Sequence, residues 1–229
     1  MCTVTFIPTA NGFIITSNRD EKIAREKAIP PQSYKINTKK IIFPKDQKAG
    51  GTWIAHTENK IVVLLNGAQE KHVVKPSYRK SRGLIVVEIA SANNSLALWK
   101  NIDLKEIEPF TIILFENNKL FLLQWNEIKK SQEELPISEN HIWSSSTLYS
   151  KEIRTERAKW FANFMLKNTN PTTKDILNFH QFTESDNAEF GLQINRNNFL
   201  KTISITQCLV SKNKIQMSYL DLHGSYDKV

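Results

Sequence analysis

Short β-branched and aromatic runs, joined two by two through tight turns, constrain this chain more than any other feature. TVTFIP (3–8) leads through Asn11-Gly12, a strong hairpin signal, into FIITS (13–17). TWIAHT (52–57) turns at Glu58-Asn59 into KIVVLLN (60–66), which is almost wholly apolar and reads as a strand buried on both faces. FTIILFE (110–116) turns at Asn117-Asn118 into KLFLLQW (119–125). TISITQCLV (202–210) turns at Lys212-Asn213 into KIQMSYLDL (214–222), and HIWSSS (141–146) adds a further strand. Helical signals are grouped between the hairpins. RGLIVVEIASA (82–92) is one. The best covers 150–167, where Ile153, Arg157, Trp160, Phe161, Phe164 and Met165 recur at three- and four-residue spacing and read as a core stripe. The third covers 172–182, with Thr172 or Thr173 as N-cap. The segment 22–34 contains Pro30-Pro31 and reads as loop, as does the polar and basic 67–80. Hairpins with helices grouped between them argue for antiparallel α+β rather than a doubly wound sheet, with strands enough for two sheets. With no internal repeat and no linker, one domain over 1–229 is expected.

Composition excludes several classes of function. The 229 residues suffice for a buried core, and 40% hydrophobic with 24% charged residues excludes global disorder. No apolar run approaches the roughly 20 residues of a membrane helix, so no integral membrane segment is expected. Asn11, Arg19, Asp20 and Glu21 come too early for a secretory signal, which points to a cytoplasmic protein. The net charge of +8 comes from 31 basic against 23 acidic residues. Its densest stretch, Lys71, His72, Lys75, Arg79, Lys80 and Arg82, lacks interleaved aromatics, so nucleic acid is not expected, and the basic balance equally favours an anionic small molecule. Histidines 56, 72, 141, 180 and 223 are scattered and the only cysteines are Cys2 and Cys208, so no metal site is expected. His56 reads as a half-exposed strand residue and Cys208 as a buried small hydrophobe.

The chemistry concentrates at the N-terminus. Counting back from Asn11-Gly12 sets Cys2 across from Asn18, Arg19, Asp20 and Glu21, give or take a residue or two. A thiol, a guanidinium and two carboxylates thus share one end of a strand pair. Removal of Met1 would join a free α-amine to the same residue as the thiol. That amine, with a pKa of roughly 7.7–8.0, is a base matched to neutral pH. It can take the thiol proton and later return it to a leaving group. Arg19 would favour the thiolate, and Asp20 would hold the ammonium in place. If Met1 stays, the amine is locked in a peptide bond and cannot act. Asn66, at the end of its strand and opposite Gly50-Gly51, is a candidate oxyanion donor, the glycines leaving the backbone open to a substrate.

MCTVTF, then SNRDE (17–21), AGGTW (49–53), the strand ending at Asn66, and Ser81-Arg82-Gly83 before a helix resemble the NRDE family, also called the transport-and-Golgi-organisation 2 family. That family is similar to N-terminal-nucleophile hydrolases, particularly the choloylglycine hydrolase and penicillin V acylase group. The resemblance implies a four-layer αββα sandwich of two antiparallel sheets. It implies Cys2 as nucleophile, Arg19 and Asp20 as its supports, and Asn66 in the oxyanion hole. Asn18, Glu21, Gly50, Gly51, Thr52, Trp53 and Ser145 are the candidate ligand-binding residues. Two positions depart from the hydrolase pattern. Ser144-Ser145-Ser146 stands where the group has a second asparagine, and Lys201 neighbours the position of a late-strand arginine. The expected function is hydrolysis of an amide or thioester through Cys2 without a cofactor. The alternative is a non-catalytic binding or trafficking protein on the same fold, carrying haem, acyl-CoA or another hydrophobic or anionic ligand.

Overall fold

The computed structural model describes residues 3–212 and 214–223. The elements open with β1 (Thr3–Thr9), β2 (Gly12–Lys22), β3 (Ile29–Ile36), β4 (Lys39–Lys45), β5 (Ile54–His56) and β6 (Lys60–Asn66). Two helices follow, α1 (Arg82–Ser91) and α2 (Ser95–Asn101), then β7 (Phe110–Glu116), β8 (Lys119–Trp125), β9 (Lys130–Leu135) and β10 (His141–Ser144). The rest is α3 (Lys151–Lys167), α4 (Thr173–Phe182), β11 (Asn195–Arg196), β12 (Leu200–Ser211) and β13 (Lys214–Asp221). They divide into two compact units, the first made of Met1–Glu26 with Glu139–Val229 and the second of Lys27–Ser138.

In the first unit the sheet order is β10-β1-β2-β12-β11, with β13 also on β12, and every pair is antiparallel. Thr3 faces Asn18 on one side and Ser144 on the other. Ile7, Ile14, Phe161, Ile176, Phe179 and Leu192 pack together where α3 and α4 meet this sheet. Ser150 caps α3, and Thr172 with Asp175 forms a capping box on α4.

In the second unit the strands run in chain order from β3 to β9 as a seven-stranded antiparallel meander. Val62 and Leu64, Ile112 and Leu114, and Phe121 and Leu123 alternate along their strands and meet Ile85, Val86 and Ile89 of α1 and Trp99 of α2. This period-two pattern is what a sheet with a helix-covered face demands.

Three readings of the sequence change. Pro30-Pro31 lies in a strand, not a loop. β3 is the sheet edge, where a missing N–H costs no ladder bond, and its pairing with β4 shifts register between Ile29 and Gln32. His56 is buried rather than half-exposed, because β5 has neighbours on both sides. The second strand runs on to Lys22 rather than stopping near 17, which carries the Asn18–Glu21 segment into the sheet itself. The turn expected at Lys212-Asn213 lies partly outside the described residues, as does Cys2.

Candidate functional site

Residues 16–20 of β2 are buried side by side although all five are polar or charged. Thr202 of β12 faces Asp20, and the register slips by one residue between Thr202 and Ser204, where Arg19 faces Ser204. The Asp20 carboxylate is held at both oxygens. Tyr149 donates to Oδ2 at 2.7 Å and Thr202 Oγ1 donates to Oδ1 at 2.6 Å. The Ile194 N–H donates to Thr202 Oγ1 at 2.9 Å, which leaves the threonine's own proton for Asp20. Asp20 and Arg19 are both almost fully buried. Glu21 reaches the rim, where it accepts from the Lys22 N–H and faces Arg25 at 4.0 Å.

Asn18 belongs to the framework of this unit. Its amide nitrogen donates to the carbonyls of His180 and Leu192 at 3.2 and 2.8 Å. Carbonyls only accept, so the other amide atom is the oxygen, and it takes the proton of His180 Nδ1 at 2.7 Å. His180 Nε2 then accepts from Thr5 Oγ1 at 2.8 Å. The ring is neutral. Complete burial and the nearby Arg157 cation bring its pKa down to about 3.

Arg157 is a cation with no exposure at all. It donates to Thr3 Oγ1 at 2.6 Å and to the carbonyls of Phe190 and Gly191, and its guanidinium lies 3.6 Å from the ring centre of Tyr149. Ser145 is buried beside Thr147, its hydroxyl 2.7 Å from that of Thr147. Cys208 is buried, which pushes its thiol pKa well up and leaves it inert as a nucleophile.

The remaining sequence-predicted residues belong to the second unit. Gly51 meets another part of the backbone. A Cβ there would fall 2.4 Å from the Gly83 carbonyl carbon, and Thr52 N–H donates to the Gly83 carbonyl. The AGGTW and Ser81-Arg82-Gly83 segments therefore serve one backbone crossing at the start of α1. Gly50 has φ +71° and open space at its Cβ, so there it is the backbone conformation that suits glycine. Thr52 Oγ1 donates within the buried backbone, with the Pro44 and Ile54 carbonyls at 2.6 and 2.9 Å. Trp53 is buried, and Asn66 closes β6 opposite Phe110, half-buried. Much of the basic stretch is paired locally, with Lys75 on Glu127, Arg79 on Asp103, Lys80 on Glu88 and Arg82 on Glu108, which also lies 3.3 Å from His72 Nε2.

The family model described as Transport and Golgi organisation 2 matches residues 1–219. The chain belongs to that family. No curated protein matches it. Among solved structures it is similar to an arginine-to-leucine variant of conjugated bile acid hydrolase from Clostridium perfringens. That likeness has a TM-score of 0.51 at 9% identity and covers 96% of this chain and 92% of the other. Anbu from Hyphomicrobium sp. strain MC1 follows with a TM-score of 0.39 at 8% identity, over 96% of this chain and 87% of that one. The first likeness carries the fold. The expected class is shown, α+β with two antiparallel sheets, as in N-terminal-nucleophile hydrolases.

For this family member the sequence singled out Arg19, Asp20 and Asn66 as candidates but not the groups that grip Asp20. Tyr149 and Thr202 lie 129 and 182 residues from it in the chain. One signal was present. Arg157 occupies a position in the apolar stripe of α3, where a solvent-facing arginine has no reason to be. Among the described residues no group of three His, Cys, Asp or Glu side chains is arranged to hold a metal, and no helix is long and apolar enough to cross a membrane.

Proposed function

We propose that this chain is a cysteine hydrolase of N-terminal-nucleophile type, cleaving an amide or thioester through Cys2 after removal of Met1. The observation that carries the reading is the Asp20 carboxylate, buried next to Arg19 and fixed by two hydroxyl donors, on the strand paired with the one that begins at Thr3. A buried carboxylate costs several kcal/mol unless its hydrogen bonds are made, so one kept at a strand end beside a buried arginine suits a charge-bearing task.

In this reading the α-amine takes the Cys2 proton and the thiolate attacks the substrate carbonyl carbon. The C–S bond forms, and the C–N or C–S bond of the substrate breaks as the ammonium returns its proton to the leaving amine or thiolate. Water then attacks the acyl-Cys2 thioester and gives one proton to the amine. The carboxylic acid leaves, and that proton restores the thiol.

Intact mass of the purified protein, followed by a panel of acyl amides and acyl thioesters, tests this. The expected result is loss of Met1 and turnover that falls by about a thousandfold or more in Cys2→Ala. Retained Met1, or full turnover by Cys2→Ala, overturns it. Retained Met1 with stoichiometric binding of haem or acyl-CoA would indicate the carrier reading on the same fold.

A further inference from the structure

We propose that Arg157 and Tyr149 form a brace that sets the spacing between the start of β1 and the Asp20 carboxylate. They would be positioning residues for the N-terminal nucleophile. The inference rests on the proposed role of Cys2.

The guanidinium of Arg157 joins two things that must be registered for that chemistry. One nitrogen donates to Thr3 Oγ1, on the residue bonded directly to Cys2. Its face stacks on Tyr149, whose hydroxyl donates to Asp20. On the other branch, Thr202 fixes the second carboxylate oxygen from β12. Strand pairing alone sets Thr3 opposite Asn18 but leaves the carboxylate free to rotate about χ1 and χ2. The brace removes that freedom from the helix side of the sheet.

Packing alone does not call for an arginine here. Among the described residues the partners of Arg157 are neutral, namely two carbonyls, a hydroxyl and an aromatic ring. A buried cation without an anion is costly, and an apolar side chain of the same size is usually the more stable filler. A cation over the Tyr149 ring also polarises its O–H and so strengthens the donor to Asp20.

Alkylation of Cys2 by iodoacetamide, followed by mass spectrometry on the full chain between pH 5.5 and 9.5, tests the brace. Cys208 stays silent because it is buried. Tyr149→Phe keeps the ring under Arg157 and removes only the O–H. It is expected to slow alkylation at pH 7 by about fivefold, the worth of one hydrogen bond, and to move the rate profile towards that of an ordinary thiol near ~8.5. Asp20→Asn should do the same more strongly, while thermal unfolding of Tyr149→Phe stays within a few degrees of the parent. If Asp20→Asn alters the profile and Tyr149→Phe does not, the brace is wrong and the role of Asp20 stands. If neither variant alters it, the proposed role of Asp20 beside Cys2 fails, and the brace with it. A lowered melting temperature in Tyr149→Phe with an unmoved profile marks a purely structural contact and also overturns the inference.

Discussion

The helix-covered faces of the two sheets are built on opposite principles. In the second unit that face is almost wholly apolar, from Ile41 and Phe43 through Val62, Leu64, Ile112 and Leu114 to Phe121 and Leu123. Its buried charges sit at helix ends. Lys60 donates to the Ile89 and Ala92 carbonyls where α1 stops and pairs with Glu116 at 2.8 Å. Glu116 in turn accepts from the N–H and hydroxyl of Ser95 where α2 begins. In the first unit the same kind of face carries Thr3, Thr5, Asn18, Asp20 and Thr202, bonded to Tyr149, Arg157, His180 and the carbonyls around them. Apolar packing is non-directional and tolerates small shifts, whereas a buried polar network is stable only with every member in place. The second unit is thus built for stability, and the first holds particular atoms at particular points.

This contrast can be broken from either side. The largest effect is expected from Trp99→Ala, which empties the apolar face between α2 and the strands. It should cost about 3–5 kcal/mol in urea unfolding. A loss below about 1 kcal/mol would mean that the face collapses to fill the void. Asn18→Leu should come next, at about 2–3 kcal/mol, because the His180 and Leu192 carbonyls and His180 Nδ1–H all lose a partner. A neutral outcome would show that the polar face tolerates replacement as readily as the apolar one.

Per pH unit, the smallest effect is in the pH dependence. His180 titrates near ~6.5 in the unfolded chain, and in the folded chain its pKa is about 3. Between these values the unfolded state binds the extra proton. Folding stability therefore falls as pH drops below 6.5, by up to about 1.4 kcal/mol per unit, and the loss stops below about 3. The difference in unfolding free energy between the parent and His180→Gln, followed from pH 7 to 4, isolates this contribution. A flat difference would show that the folded ring takes up a proton as readily as the unfolded one.

Hairpin pairing, the helices α1, α3 and α4 and the antiparallel class were legible because they depend on local periodicity and turn chemistry. Asn117 and Asn118 both adopt positive φ at their turn, as that pair favours. β9 was not legible. KSQEEL is polar and half-exposed at a sheet edge, so no apolar alternation marks it. The glycine pairs were visible as motifs, but their purpose was not. That Gly51 meets Gly83 is a property of two segments more than 30 residues apart.

The N-terminal motif behaves in the same way. By itself the sequence set Asn18 to Glu21 across from Cys2, to within a residue or two, by counting back from the turn at Asn11-Gly12; the structure carried that segment into β2 itself. Only the tertiary structure decided that Asn18 belongs to the framework with His180 and that Asp20 is gripped by Tyr149 and Thr202. Hydrogen-bond partners of buried side chains come from whichever segments the fold brings across the sheet, and nothing in local periodicity records that distance.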